Sequence, residues 1–175
     1  MSDEMTREEA AALLKSHEEF STPQTVTLNT GTIYSKLSDL ERYQPKYAAF
    51  KSMGLVELTS VKIESRDKDP SKSIEGTRVS LTEKGLVESK SWNQSRENEW
   101  SITIATKELI AVIKIHKDGE GRLHGIEFSW RWAPNKTGEG LKFTPPAERA
   151  YARLAPQEKG WRIVNITPVG IAYPG

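Results

Sequence analysis

The chain has 175 residues, 36% hydrophobic and 28% charged, with a formal net charge of +1. That length builds one large domain or two small ones with a real core, and near-neutrality argues against bulk nucleic acid or an anionic membrane as partner. The absence of cysteine excludes disulfides, thiol catalysis and thiolate metal sites, and no apolar run reaches the roughly 20 residues of a membrane-spanning helix.

The N-terminus, MSDEMTREEA, is polar and acidic and does not read as a signal peptide. As written, the chain is expected in the cytoplasm; a leader removed ahead of Met1 would move it to the periplasm or outside the cell. Residues 6–20 read as a helix: Thr6 and Glu9 fit a capping box, and Ala10, Leu13, Leu14 and His17 share a face at i, i+3, i+4 and i+7. Residues 24–28 are a short β-prone run, and Ile33 to Leu40 is ambiguous between helix and extended chain.

Pro45 suits the first turn of a helix in which Tyr47, Phe50 and Met53 share a face, and Gly54 supplies its left-handed stop. Leu55 to Ile63 follows as a strand, Glu64 to Gly76 as an exposed loop, and Thr77 to Leu81 as a second strand, after which Thr82 caps a short helix to about Ser91. Beyond Trp92 the texture turns to strands. Ile102 and Ile104 mark one, Leu109 to His116 another, and the turn at 117–121 makes a hairpin. Ile126, Phe128, Trp130 and Trp132 then alternate with Glu127, Ser129 and Arg131, the period of a sheet with one apolar and one wet face. Glu148 to Leu154 and Trp161 to Ile166 complete a meander of about five antiparallel strands.

Two stretches resemble known folds. YAAFKSMGLVEL (47–58) and TRVSLTEKGLVES (77–89) resemble a winged-helix domain over residues 40–90. The resemblance implies a recognition helix at Pro45 to Met53 with Lys46 and Lys51 facing DNA, and a wing at Glu64 to Gly76. GWRIVNI (160–166) closes a stretch, 99–168, similar to the curved antiparallel sheets of cystatin-like and nuclear-transport-factor-like proteins, many of them non-catalytic modules of bacterial envelopes. Those folds place a long helix before the sheet, where this chain offers only the 82–91 segment. The expected fold class is therefore α+β, a winged-helix-like region over 1–92 and an antiparallel meander packing on a helix over 93–175.

Charge weighs against DNA. Residues 1–92 carry 13 basic and 15 acidic side chains, whereas a surface that tracks phosphates is basic. The remainder carries 12 basic and 9 acidic side chains; Arg131, Arg149, Arg153 and Arg162 can gather on the outer sheet face, as a mild anion-binding surface or as a solvated face that discourages edge pairing.

Chemistry-bearing constellations are few. His116, Asp118, Glu120 and His124 cluster across the hairpin and include zinc-ligand types, but the acids occupy ordinary turn positions, so no metal or cofactor is expected. No paired-carboxylate, Ser-His-Asp or glycine-rich phosphate motif stands out. The expected function is a non-catalytic binding or protein-interaction module. Its partner or small ligand would meet the sheet at Trp130, Arg131, Trp132 and Tyr151, although core packing is the favoured account of the indoles. The alternatives are a DNA-binding regulator using Lys46 and Lys51, and a ligand or enzymatic cavity in the curved sheet.

Overall fold

The computed structural model describes residues 4–64 and 73–171. The chain is of mixed helix and strand, with a curled antiparallel five-strand sheet. Of the expected wing, Arg66, Asp67, Lys68, Asp69 and Lys72 lie outside the described residues, and Ile74 to Gly76 are strand. No described helix is long and apolar enough to cross a membrane.

The described chain forms two compact units that are discontinuous in sequence. One holds the described residues up to Gln24, Ala105–Asn135 and those from Thr144 on; the other holds Thr25–Ile104 and Lys136–Phe143. The division thus does not follow a single cut near Trp92, because the first helix belongs with the C-terminal strands.

In the first unit, α1 (Arg7–Ser16) starts at a capping box in which Thr6 accepts from the Glu9 N–H and Glu9 accepts from the Thr6 N–H. The helix stops earlier than its apolar spacing predicts. His17 adopts extended backbone, ending α1 and capping the short α2 (Glu18–Ser21) by accepting from the Glu19 N–H. Ala10, Leu14 and Phe20 are buried against Val112, Ile126, Phe128, Ala150, Ala152, Leu154 and Ile163. The helix on this sheet is therefore α1 and not the 82–91 segment.

The strands of this unit are β6 (Glu99–Lys117), β7 (Leu123–Pro134), β8 (Glu148–Pro156) and β9 (Trp161–Ile171), consecutive antiparallel neighbours. The two strands expected at Ile102–Ile104 and Leu109–His116 are one, β6, whose first six residues count with the second unit. Its partners slip register at Ile110 and at Ile113, and those of β9 slip at Val164 and Val169. Each slip is a β-bulge, an unpaired residue that bends the strand and increases its twist. The core positions of β6 consequently recur every third residue, at Leu109, Val112 and Ile115. Arg7 donates to the carbonyls of Val112 and Ile113 (2.9 and 3.4 Å), so the helix supplies donors to a bulge that interrupts the ladder.

In the second unit, β1 (Gln24–Asn29) is a neighbour of β6, and β5 (Asn93–Arg96) pairs with the start of β6. A three-stranded antiparallel sheet has the order β2-β4-β3, built from β2 (Gly31–Ile33), β3 (Val56–Ile63) and β4 (Ile74–Leu81). Between β2 and β3 run α3 (Leu37–Tyr43) and α4 (Lys46–Ser52), the latter burying Tyr47 and Phe50. Gly54, at φ +75°, turns the chain out of the helix. Thr82 caps α5 (Glu83–Glu88), accepting from the Gly85 N–H and donating to the Gly54 carbonyl, while Lys84 donates to the Met53 carbonyl. The LTEKG stretch thus ties the start of α5 to the end of α4. A short helix, α6 (Lys136–Gly140), completes this unit.

Because α1 is the layer that covers the curled sheet, its packing controls the first unit's stability. Leu14→Ala is expected to cost about 2–5 kcal/mol, the range for a buried leucine that leaves a cavity, and Thr6→Ala about 1 kcal/mol through the lost cap. Urea denaturation followed by far-UV circular dichroism measures both, and Lys15→Ala on the exposed side of α1 serves as the reference.

Candidate functional site

Register decides which residues can share a surface. Across β7 and β8 the pairs are Ile126 with Ala152, Phe128 with Ala150 and Trp130 with Glu148; alternating with them are Glu127 with Tyr151 and Ser129 with Arg149. The first set includes the core residues of the helix-covered face; the second points away from it. Trp130 and Trp132 therefore lie on the helix side, and Arg131 and Tyr151 on the opposite side. The four residues expected to form one partner surface are divided between two faces.

On the helix side the two indoles pack edge to face, 5.3 Å between centroids. The Lys107 ammonium stands 4.8 Å from the Trp130 ring and 5.4 Å from that of Trp132, and it donates to the Glu19 carbonyl at 2.9 Å. Beside them a recess of about 120 Å³ has Phe20, Phe128 and Ile166 in its wall. It is below the size of ordinary ligand pockets, about 300 Å³ and above. Trp130 packs against the core, as a sheet-to-helix filler should.

The outer side gathers the ionisable groups. Glu127, largely buried, is ion-paired through Oε1 to the Arg149 guanidinium and accepts from His116 Nε2 at 3.2 Å through Oε2. Lys114 is its cross-strand neighbour on β6. The Tyr151 hydroxyl is hydrogen-bonded to His124 Nδ1, and its ring meets that of His116 at 5.4 Å, edge to face. Burial pushes the Tyr151 phenol above the usual tyrosine range. His124 is itself the extra residue of a bulge, since Gly125 pairs with His116 and Leu123 with Lys117. Gly125 has no side chain for a local reason: a Cβ there would overlap the Tyr151 ring.

The arrangement gathers its charges around Glu127. Both oxygens of Glu127 are engaged by cations or N–H donors, which fits a structural ion pair better than a general base. Arg131 reaches Glu108 on β6 at 3.2 Å, an exposed pair. Arg153 and Arg162 stand between core residues on their strands and so point outward, with Lys114; none of the three makes an ion pair among the described residues. The four arginines expected on the outer face are indeed there.

The expected hairpin cluster does not converge. Asp118 accepts from the N–H groups of Arg122 and Glu120 and from the Arg122 guanidinium; the Arg122 backbone bond first, and these others with it, hold its carboxyl below the ordinary aspartate value despite some desolvation. Glu120 pairs with Arg122 at 2.9 Å. The histidines turn instead to Glu127 and Tyr151. Among the described residues no group of three or more His, Asp or Glu side chains is placed to hold one metal ion.

In the second unit, Lys46 donates to the Thr27 carbonyl at 2.6 Å and lies over the Tyr47 ring, and burial lowers its ammonium below the ordinary lysine value. Lys51, on the last turn of α4, is exposed. The two lysines expected to face DNA thus differ, one drawn into the fold and one in solvent.

The Glu127–Arg149–His116 group escaped sequence reasoning, which treated Glu127 only as a wet-face residue. Its one visible trace was the alternation that set Glu127 opposite the apolar face; the partners come from β6 and β8, whose register the sequence does not state. No protein-family model matches the chain, and comparison with curated proteins and with solved structures found no match.

Two outcomes follow from this geometry. Glu127→Ala strands Arg149 and is expected to destabilise the protein by about 1–3 kcal/mol, whereas Arg131→Ala, at an exposed pair, costs under about 1 kcal/mol; urea unfolding of both variants decides it. Alkaline absorbance titration should show a phenolate component above the ordinary tyrosine range that Tyr151→Phe removes. In that window the folded chain binds more protons than the unfolded one, so stability falls as pH rises through the raised Tyr151 value.

Proposed function

We propose that the protein is a non-catalytic binding module whose outer sheet face docks an acidic, partly apolar segment of another protein. The observation that carries this reading is the set of four exposed aliphatic residues at the bulges: Ile110 (49% exposed), Ile113 (37%), Val164 (37%) and Val169 (54%). Their neighbours Leu109, Val112, Ile163 and Ile166 pack into or against the core, so the bulged residues project the other way. They form two apolar rails, on β6 and β9, flanking a polar strip on β7 and β8. No described element of this unit covers that face. Exposed apolar surface rimmed by polar groups is the composition of an interaction site.

Charge complementarity selects the partner. The face carries Lys114, Arg131, Arg149, Arg153 and Arg162 against Glu108 and Glu127, a surplus of base in a protein of nearly neutral charge. The ion pairs fix Arg131 and Arg149 in place, and Lys114, Arg153 and Arg162 supply the cations left to meet carboxylates. The helix α1 on a curled sheet also supports the cystatin-like reading of the C-terminal strands. The order β2, α3, α4, β3, β4, α5 likewise supports a winged-helix-like reading of residues 40–90. Duplex binding gains no comparable support, since α4 offers two lysines and Lys46 is already engaged.

A photo-crosslinking residue at Ile110, compared with one at Ala12 on the exposed side of α1, tests the reading in a native extract. The expected result is one acidic protein captured from position 110 only, with capture reduced about tenfold by the double substitution Arg153→Glu, Arg162→Glu and weakened by salt. Equal capture from both positions, or capture indifferent to the charge reversal, would sink the proposal.

A further inference from the structure

The second unit holds a groove of about 560 Å³, within the size range of small-molecule sites. One wall is α4. Pro45, Ala48, Ala49 and Ser52 line it at i, i+3, i+4 and i+7, a single helical face, while Tyr47 and Phe50 on the other side are buried. The lining face is built from small residues, so a ligand can approach the helix backbone closely. Val26 of β1 and the segment 140–142 complete the lining. That segment is held against the end of α4, for Gly140 lies so close to the Met53 side chain that a Cβ would overlap its sulfur.

The charge of the lining is one-sided. Among the described residues its ionisable groups are Lys46 and Lys142, and no described carboxylate lines it. Lys46 is half-buried and spends one hydrogen bond on the Thr27 carbonyl. An ammonium has three donors, so two remain to be met from the groove or from solvent. A desolvated cation beside apolar wall is stabilised by an anion brought to it, and its lowered proton affinity reports that desolvation. Lys142 is held at φ +57°, where the chain leaves α6, and its exposed side chain sits at the rim.

We propose that this groove binds a small amphipathic carboxylate, its aliphatic body laid along Ala48, Ala49, Val26 and Leu141 and its carboxylate between Lys46 and Lys142. The ligand class follows from the pairing of an apolar floor with two cations and no described acid. Ser52 adds a hydroxyl that donates or accepts. The sheet-face reading does not bear on it, since a different unit and different residues carry it; it uses the helix of the winged-helix-like reading but needs no DNA.

Isothermal titration of the full-length protein with sodium octanoate tests the assignment, with 1-octanol and octylamine as chain-matched controls. Octanoate is expected to bind saturably, and the alcohol and amine at least about tenfold more weakly. Lys142→Glu, at an exposed position, should weaken octanoate about tenfold. Ala49→Leu, which fills the half-exposed face of α4 without touching Tyr47 or Phe50, should abolish binding while the circular dichroism spectrum and melting temperature stay near those of the unmodified chain. Absence of octanoate binding up to about 10 mM, equal binding of octanoate and octanol, or unchanged octanoate affinity in Ala49→Leu would each overturn it.

Discussion

A sheet that must close over one short helix has to curl, and in this protein the curl comes from inserted residues. With ten residues, α1 offers only a narrow apolar stripe, too little to cover four flat strands. The bulges at Ile110 and Ile113 on β6, and at Val164 and Val169 on β9, bend the two outer strands of the meander toward it. Ala10 and Leu14 then share one buried cluster with residues from all four strands. Each extra residue that improves this fit turns an aliphatic side chain outward, so the packing that completes the core also builds the apolar rails of the other face.

Between those rails the strands β7 and β8 pair without interruption over Gly125–Trp130, and this regular strip positions the charges. Glu127 is drawn largely out of water, where an unpaired carboxylate would be costly. Arg149 and His116 approach it from the two neighbouring strands. The result is a polar strip in which Glu127 is ion-paired and Lys114, Arg153 and Arg162 face solvent. The proposed docking of an acidic segment rests on this surface.

The second unit uses the same economy on a smaller scale. Thr82 bonds both to the start of its own helix and to Gly54 at the end of another, so one side chain closes the junction of α4 and α5. Tyr47 and Phe50 commit one side of α4 to the core. The small residues on the adjacent side leave a groove in place of packed bulk, and the lysines bordering it give that space a charge preference.

Local patterns in the chain determined a good share of the architecture. The capping box at Thr6, the stop at Gly54, the cap at Thr82, the hairpin after His116 and the alternation from Ile126 to Trp132 are all short-range signals, set by neighbours within one helical turn or one strand pleat. Their legibility ends where distant segments meet. A period-two reading could not anticipate that β6 turns Leu109, Val112 and Ile115 to the core, because a bulge is defined by the partner strand that lacks the extra residue. It could not choose α1 over the nearer 82–91 segment as the layer on the sheet, nor separate Trp130 and Trp132 from Arg131 and Tyr151 as a surface. Nor could it join Glu127 to Arg149 and His116, which lie 22 and 11 residues away. Side-chain type and spacing decided which residues would seek a core and which would cap or turn; only the register between strands, fixed by mutual packing and hydrogen bonding, decided which of them stand together on each face.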